Sequence, residues 1–366
     1  LAGVIVQEWL AEHGGSENVT EEVARLFPDA PIACLWNDNP QRFPADRVSE
    51  SWLARTPLRR NKSLALPFMP STWRHLGRSD AEWIFCSSHL FAHHARFSGP
   101  ARDAPKYVYA HTPARYIWNA ELDERGNSLP ARLASVGLKP LDRHRAAEAK
   151  AIAANSEFVR ARVKAAWRRD STVIYPPVDV ADFLPGSSAT PTDEEAERIS
   201  RLPSEFVLGA SRLIPYKRLD LVIKAGEAAG LPVVIAGIGP SESALRELAR
   251  DAEVEVHFFG RPSRGGLKTL FASAIAYVFP AVEDFGIMPV EAMAAGAPVI
   301  GLTMGGVAET VEDGVSGALV ENFSADEVRE AIGRVNSISR NACVARAELF
   351  DRAVFDDQIT EWIGSD

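Results

Sequence analysis

Short apolar runs alternate with amphipathic stretches along the whole chain, and the runs are too brief for anything but strands. In the first half they fall at residues 4–6, 32–35, 83–86, 106–110 and 151–154. Each is nearly continuous in apolar character, as expected of strands covered on both faces of a parallel sheet. The segment VIYPPVD, residues 173–179, closes this series, because Pro176-Pro177 cannot continue a helix and marks an extended exit. Residues 185–204 open with turn-forming residues and end in a short acidic helix, a reasonable link between two domains.

The second half restarts the same rhythm. FVLGAS (206–211) reads as a strand, LDLVIKAGEAA as a helix, PVVIAGIG as a strand, ESALRELARDA as a helix and VEVHFFG as a strand. LKTLFASA is again helical, AYVFPA a strand, and two helical segments, 325–336 and 340–363, end the chain. No internal repeat or low-complexity segment is visible. This α/β grammar predicts two Rossmann-like domains with parallel sheets facing across a cleft. The boundaries it suggests are 1–182 for the first domain and 183–345 for the second, with 346–366 returning to the first.

A length of 366 residues and an apolar fraction of 46% allow two buried cores. No apolar run approaches a membrane span and no signal peptide is visible. Cys34, Cys86 and Cys343 have no metal-ligand or redox spacing, which suits a reducing cytoplasm. Asn18-Val-Thr matches a glycosylation pattern but reads as the start of a helix. Charge is divided unevenly: residues 1–180 hold 24 Lys and Arg against 20 Asp and Glu, residues 181–366 hold 16 against 29, and the whole is −9. That balance argues against a general nucleic-acid binder.

The candidate chemistry concentrates in FPAVEDFGIMPVEAMAAGAPVIG, residues 279–301. A strand leads into a loop holding Glu283, then into a helix that opens at Pro289, carries Glu291 and ends at Gly296. Strand, loop and helix N-terminus form a cradle for an anionic ligand. Carboxylates beside such a cradle fit hydroxyls of a sugar and a ribose attached to a diphosphate. GASRLIPYKRLD (209–220) supplies the positive charge for that diphosphate through Arg212 and Lys217, just past a strand end. Gly14-Gly15 sits where the first strand turns into a helix of about 17–26, and leaves backbone N–H groups accessible. His111 follows the strand KYVYA directly. His93-His94 has no supporting carboxylate pattern, and no metal site is expected. Residues 51–79 contain Arg55, Arg59, Arg60, Lys62, Arg74 and Arg78, no acid, and interleaved Trp52, Leu64, Leu66, Phe68, Met69 and Trp73. This is either a helical hairpin packed on its own domain or a surface for an anionic membrane or a phosphorylated acceptor.

These motifs together resemble the family 4 retaining glycosyltransferases of the two-domain GT-B fold: ASRLIPYKRLDLVIKA, the Glu283/Glu291 pair inside EDFGIMPVEAMAAGAPVI, and GGSE at 14–17. The matching features run from residue 8 to about 317. YAHTPARYIWN (109–119) is similar to a bacterial subgroup that includes GDP-mannose-dependent mannosyltransferases, with Asn119 where that pattern has Asp. The resemblance implies that Glu291 accepts from ribose hydroxyls and Glu283 from a sugar hydroxyl. Backbone N–H groups around Phe285, Gly286, Ile287 and Met288 would face sugar and phosphate, Arg212 and Lys217 would bind diphosphate, and Arg261 in GRPS would lie against the base. His111 would stand near the anomeric carbon, and Gly14 and Gly15 near phosphate or acceptor.

The function implied is metal-independent transfer of a hexose, first guess mannose from GDP-mannose, with retained anomeric configuration. The acceptor would be a glycan, lipid-linked or small-molecule hydroxyl. No cofactor is implied beyond the nucleotide sugar itself, and the implied place is the cytoplasm, with peripheral membrane contact through 51–79 as a further expectation. Three rivals stand beside this reading. One is a nucleotide-sugar epimerase, for which His111 and Glu283 are the acid/base candidates. The others are a non-catalytic nucleotide-sugar sensor and a dinucleotide-dependent oxidoreductase. The last lacks its motif, since IAGIGPSES has two glycines and not the third.

Overall fold

The computed structural model describes residues 2–12, 14–118 and 129–364, with the side chains of 129–136 left aside. Contacts divide the chain into one unit formed by Leu1–Pro177 with Phe355–Asp366 and a second formed by Val178–Val354.

The first unit holds seven strands: β1 (Gly3–Gln7), β2 (Ile32–Cys34), β3 (Val48–Glu50), β4 (Trp83–Ser88), β5 (Lys106–Ala110), β6 (Ala151–Ala154) and β7 (Thr172–Val173). They pair in the order β3-β2-β1-β4-β5-β6-β7, every pair parallel. Alternate residues feed two cores. Val4, Val6, Ile84, Cys86 and Val108 pack on one face, and Ile5, Ile32, Phe85, Tyr107 and Tyr109 on the other. Both faces are covered, which is why the strands read as continuous apolar runs. The C-terminal helix Arg352–Gly364 places Phe355, Ile359 and Ile363, four residues apart and so on one helix face, into the second of these cores. All three cysteines are buried and free.

The second unit has six parallel strands: β8 (Val207–Ala210), β9 (Val233–Ala236), β10 (Val256–Gly260), β11 (Ala276–Phe279), β12 (Val299–Leu302) and β13 (Gly317–Val320). Their order, β10-β9-β8-β11-β12-β13, is that of a doubly wound dinucleotide-type sheet. Helices Leu219–Ala229 and Ala325–Val335 cover one face through Val222, Ile223, Val328 and Ile332. In each unit the strand order reverses between the first strand and the fourth, and ligands of such sheets bind beyond the strand C-termini at that reversal. In the second unit the reversal lies between β8 and β11, so the loops after these two strands are neighbours in space.

Several expected elements shift. The helix bearing Glu291 runs Ile287–Ala294, two residues earlier than the Pro289 start, because Gly286 at φ 90° turns the chain sharply into it. Pro289 then lies third in the first turn, where its missing N–H still costs nothing. The terminal segment 340–363 is two helices, Arg340–Glu348 and Arg352–Gly364, since Asp351 bridges back to Val178 and Arg352 N donates to Val178 O at 3.1 Å. Residues 51–79 form no hairpin of two helices but a chain of single turns between 52 and 72, among them Pro57–Arg60, Leu66–Phe68 and Met69–Thr72, where Pro57, Pro67 and Pro70 interrupt any longer helix. Asn119 lies outside the described residues.

Candidate functional site

The loop 211–218 leaves β8, and the loop 280–286 leaves β11, its neighbour in the sheet. They bring two candidate residues together: Lys217 Nζ is ion-paired with Glu283 Oε1. Both side chains are largely covered, at 11% and 22% exposure, so this is a shielded pair rather than a surface one. Lys217 belongs to the single turn Pro215–Lys217, and its ammonium stands 5.3 Å over the Tyr216 ring and 5.8 Å over that of Phe279. Glu283 is held by its backbone as well, its carbonyl accepting from Gly306 N at 2.8 Å. A side chain at Gly306 would place its Cβ 2.2 Å from Phe285 Cα, so only glycine lets these loops meet. Arg212 is exposed at the start of the same β8 loop.

Phe285 is buried against Phe350, with ring centroids 5.8 Å apart, which pins the turn before the helix. Gly286, Ile287 and Met288 then form the helix N-terminus, whose first amides have no partner within the helix. Glu291 lies one turn further on. Its surface is partly open, yet the carboxyl is deep enough that burial pushes it up to about 7, with Arg264 drawing it down and Asp179 raising it. A neutral carboxyl would both donate and accept, whereas the ionised form accepts at both oxygens.

Arg261 is exposed just past β10, beyond Gly260. Ser263, the last residue of GRPS, is committed locally: it caps the helix Arg264–Ser273 by accepting from Gly266 N at 3.0 Å, and its own N donates to Glu195 Oε1 at 2.6 Å. The glycines of IAGIG serve the β8 loop. A Cβ on Gly237 would stand 1.8 Å from Ser211 O, so these glycines admit the backbone leading to Arg212. That role explains the two glycines without a dinucleotide.

In the first unit, the helix after β1 begins at Gly15 with Gly14 as its cap residue, two residues earlier than expected. Asn18 lies inside this helix. His111 stands directly after β5, with Nε2 2.8 Å from Ser87 Oγ at the end of β4. It packs edge-on against Tyr109 at 5.2 Å, and burial pushes its imidazole down to about 3, so the ring is neutral around pH 7. His89 lies 6.3 Å from it and is held down, to about 3, by burial and by the charges of His111, Lys62 and Arg115. Trp9 meets His89 edge-on at 4.8 Å and stacks on Trp36 at 5.5 Å, and Lys62 Nζ stands 3.8 Å over its ring.

Sequence reading passed over two buried carboxylates. Glu8, directly after β1, accepts from Leu90 N at 2.9 Å and Ala92 N at 2.7 Å, and so ties the β1 loop to the β4 loop that carries His89. Burial pushes its carboxyl up to about 7 even against those hydrogen bonds. Asp142 takes indole N–H groups from Trp118 and Trp167 on Oδ2, both at 2.7 Å. His93 Nε2 and His94 Nε2 lie 3.1 and 3.0 Å from its Oδ1. Burial opposes its charge, but the two imidazoles hold its carboxyl below the usual range. His93, His94 and Asp142 are close enough to share an ion. Trp118, Trp167 and His94 are hydrogen-bonded to this one carboxylate and His93 Nε2 stands beside it, which makes Asp142 a buried hydrogen-bond node. An acid 48 residues away could not be paired with His93-His94 from spacing.

Comparison with known proteins is consistent across both units. Residues 13–182 match the Glycosyltransferase Family 4 model and residues 192–348 the Glycosyl transferases group 1 model. Over 279 residues the chain is 32% identical to a D-inositol 3-phosphate glycosyltransferase of Mycobacterium leprae, covering 70% of this chain and 62% of that one. It is also 32% identical over 207 residues to a GDP-mannose-dependent alpha-(1-6)-phosphatidylinositol monomannoside mannosyltransferase of Mycobacterium tuberculosis, covering 52% of this chain and 53% of that one. The chain spans about half the length of the curated relatives it matches. Among solved structures, Anabaena HepE in complex with UDP-glucose is similar at a TM-score of 0.73 with 20% identity and 100% of both chains covered. WaaG, a glycosyltransferase involved in lipopolysaccharide biosynthesis, is similar at 0.63 with 16% identity and 100% coverage of both. The fold is that of the two-domain GT-B glycosyltransferases, each domain Rossmann-like.

Proposed function

The chain belongs to the family 4 glycosyltransferases, and from that membership we propose that it moves a hexose from a nucleotide diphosphate sugar to an acceptor hydroxyl. The observation that carries this reading is the meeting of Lys217 and Glu283 where β8 and β11 end, in the loop that leads into the helix bearing Glu291. In the proposal Lys217 and Arg212 bind the diphosphate, and Glu283 and Glu291 accept hydroxyl hydrogens of the sugar and the ribose. The amides of the helix starting at Ile287 face the same ligand. Two cations aimed at the departing diphosphate meet the charge that develops as the glycosidic bond breaks, so a divalent metal is not needed in this account. The leaving phosphate takes the acceptor's proton on the face it vacates, and the anomeric configuration is retained.

GDP-mannose is the first candidate donor, supported by GDP-mannose-dependent relatives, with UDP-glucose next because the similar HepE structure holds it. The first unit would hold the acceptor, with neutral His111 at the sugar and Gly14 and Gly15 lining the approach. A second element of the proposal is peripheral contact with an anionic membrane at the cytoplasmic face. It is favoured by Trp52, Leu64 and Phe68, exposed at 53%, 61% and 45% on the acid-free stretch 51–79. Among the described residues no helix is long and apolar enough to cross a membrane.

The test of the donor class is thermal stabilisation by a panel of nucleotide sugars. A ligand present at 100 times its dissociation constant adds about 2.7 kcal/mol. Stabilisation by one nucleotide class that disappears in Glu291→Ala supports the reading, and indifference to every nucleotide sugar contradicts it.

A further inference from the structure

The loop that leaves β9 holds one residue rigidly between its two neighbours. Gly237, at φ 135°, donates its N–H to Gly260 O at 2.6 Å, which ties this loop to the end of β10. Ile238 O accepts from Leu213 N at 3.0 Å, which ties the same loop to that of β8. A Cβ on Gly239 would stand 2.4 Å from Leu213 O, so the chain is pressed against the β8 loop on both sides of Ile238. The backbone at 238 is thus fixed from two directions, while its side chain is 51% exposed. Arg212 directly precedes Leu213, and Arg261 directly follows Gly260, so the isoleucine stands between the loops of two arginines. A lone exposed isoleucine is ordinary on a protein surface. This one is immobilised, and it lies beyond the strand C-termini, where doubly wound sheets take their ligands.

The parts of a nucleotide sugar differ in what they gain from an apolar side chain. Phosphate gains nothing. The sugar is assigned to Glu283, which follows β11, and β11 is two strands from β9 in the order β9-β8-β11. At the spacing of strands in a sheet that is roughly 10 Å, wider than one hexose ring. The base remains, and the path from the ribose leads to the same place. The helix Ile287–Ala294 that carries Glu291 packs beside the helix Arg264–Ser273, which starts three residues after Arg261. A base attached to a ribose at Glu291 is therefore directed to the β10 loop, and the β9 loop with Ile238 is hydrogen-bonded to the end of β10. The faces of a base are flat and weakly hydrated, so covering them with apolar surface is favourable, while its edges need polar partners.

We propose that Ile238 is the apolar platform on which the donor's base lies, a determinant of nucleotide affinity separate from the groups that hold the phosphates. The proposal rests on the reading of the second unit as a nucleotide-sugar site. Because the loop is fixed before any ligand arrives, the platform is pre-formed, and binding need not order it. An aliphatic side chain offers no hydrogen bond, so it adds affinity for any base and leaves the choice between bases to the polar groups around it. Its contribution is confined to ligands that carry a base, which separates it in experiment from Arg212 and Lys217.

The test is calorimetric titration of GDP, UDP and inorganic pyrophosphate into wild type, Ile238→Ala, Ile238→Leu and Lys217→Ala. Ile238→Ala should bind both nucleoside diphosphates about 5-fold to 20-fold more weakly, and pyrophosphate within about twofold of wild type. Ile238→Leu, which keeps the apolar volume, should stay within about threefold of wild type for all three ligands. Lys217→Ala should weaken pyrophosphate and nucleoside diphosphates alike. Wild-type affinity for GDP and UDP in Ile238→Ala, with the Lys217→Ala loss present, overturns this inference alone. An equal loss of pyrophosphate and of nucleoside diphosphates in Ile238→Ala also overturns it, since the side chain would then support the phosphate loop and not a base. A wild type that binds GDP and UDP no more tightly than pyrophosphate overturns the nucleotide-sugar reading beneath it.

Discussion

Lys217 and Glu283, 66 residues apart in sequence, are ion-paired at the point where the second unit's strand order reverses. Each is a proposed donor ligand, so without donor they satisfy one another. Binding must redirect the ammonium to phosphate and release the carboxylate to a sugar hydroxyl. Glu283→Ala should therefore abolish transfer, by about 100-fold or more, yet bind the free nucleoside diphosphate equally or more tightly, because Lys217 no longer has a competing anion. Lys217→Ala should weaken the diphosphate by about 10-fold to 100-fold. Titrating both variants and the double variant measures the coupling, and additive losses would contradict a shared pair.

Burial pushes the Glu291 carboxyl up to about 7 in the folded protein, from the ordinary value of 4.5 that it has in the unfolded chain. A raised carboxyl pKa means that the ionised group costs folding stability above 4.5, to the full extent above 7, and that the cost disappears as the group protonates at lower pH. Glu291→Gln should raise the melting temperature at pH 8 by on the order of 2 °C and leave it unchanged at pH 4. It should lose donor affinity at the same time. Thermal denaturation at the two pH values checks the sign.

Glu8 follows the same rule with a structural consequence. Truncation to alanine leaves two buried amides, of Leu90 and Ala92, without their acceptor. A loss of about 2 to 4 kcal/mol is expected at pH 6. At pH 8 the loss should be smaller, because the wild type then carries a buried charge. Denaturant titration at both pH values decides it. A loss that grows with pH would contradict the assignment of the raised pKa.

Asp142 is expected to be a point of failure for the first unit. Alanine there strands two indoles and the His94 imidazole and should cost about 3 to 5 kcal/mol in denaturant unfolding. Added zinc should not restore stability. Recovery on zinc addition to the wild type after chelation would mean that the cluster holds an ion.

His111 is neutral down to about pH 3, so it cannot supply an acid limb to the activity profile at ordinary pH. His111→Ala should cut turnover by about 100-fold with donor affinity nearly unchanged, and Ser87→Ala by about 10-fold through loss of the ring's anchor. Single-turnover kinetics beside donor titration separates the two effects.

Local pattern disclosed most of the strands and the helix Leu219–Ala229 outright, because buried parallel strands and amphipathic helices leave a signature within a few residues. Glu283, Glu291, Arg212 and Lys217 were legible as motifs. That Lys217 reaches Glu283 was not, since it depends on β8 and β11 lying side by side in a sheet whose order sequence does not reveal. The single turns between 52 and 72 escaped because proline spacing rather than apolar period controls them. Strands β3, at Val48–Glu50, and β13, at Gly317–Val320, lie at sheet edges, where β3 is largely uncovered and carries no apolar run and β13 opens on a glycine. Glu8 and Asp142 stayed hidden for a related reason: their partners are backbone amides and rings from distant segments.

The central claim is that the second unit binds a nucleotide sugar for transfer. Its most direct test is incubation of the protein with GDP-mannose or UDP-glucose labelled in the sugar, together with a bacterial lipid and oligosaccharide extract as acceptor. The account predicts release of nucleoside diphosphate matched by label in an acceptor-linked product of retained anomeric configuration, abolished by Glu291→Ala and by Lys217→Ala. Transfer that persists in both variants, or conversion of the donor to an isomeric nucleotide sugar without transfer, would contradict it.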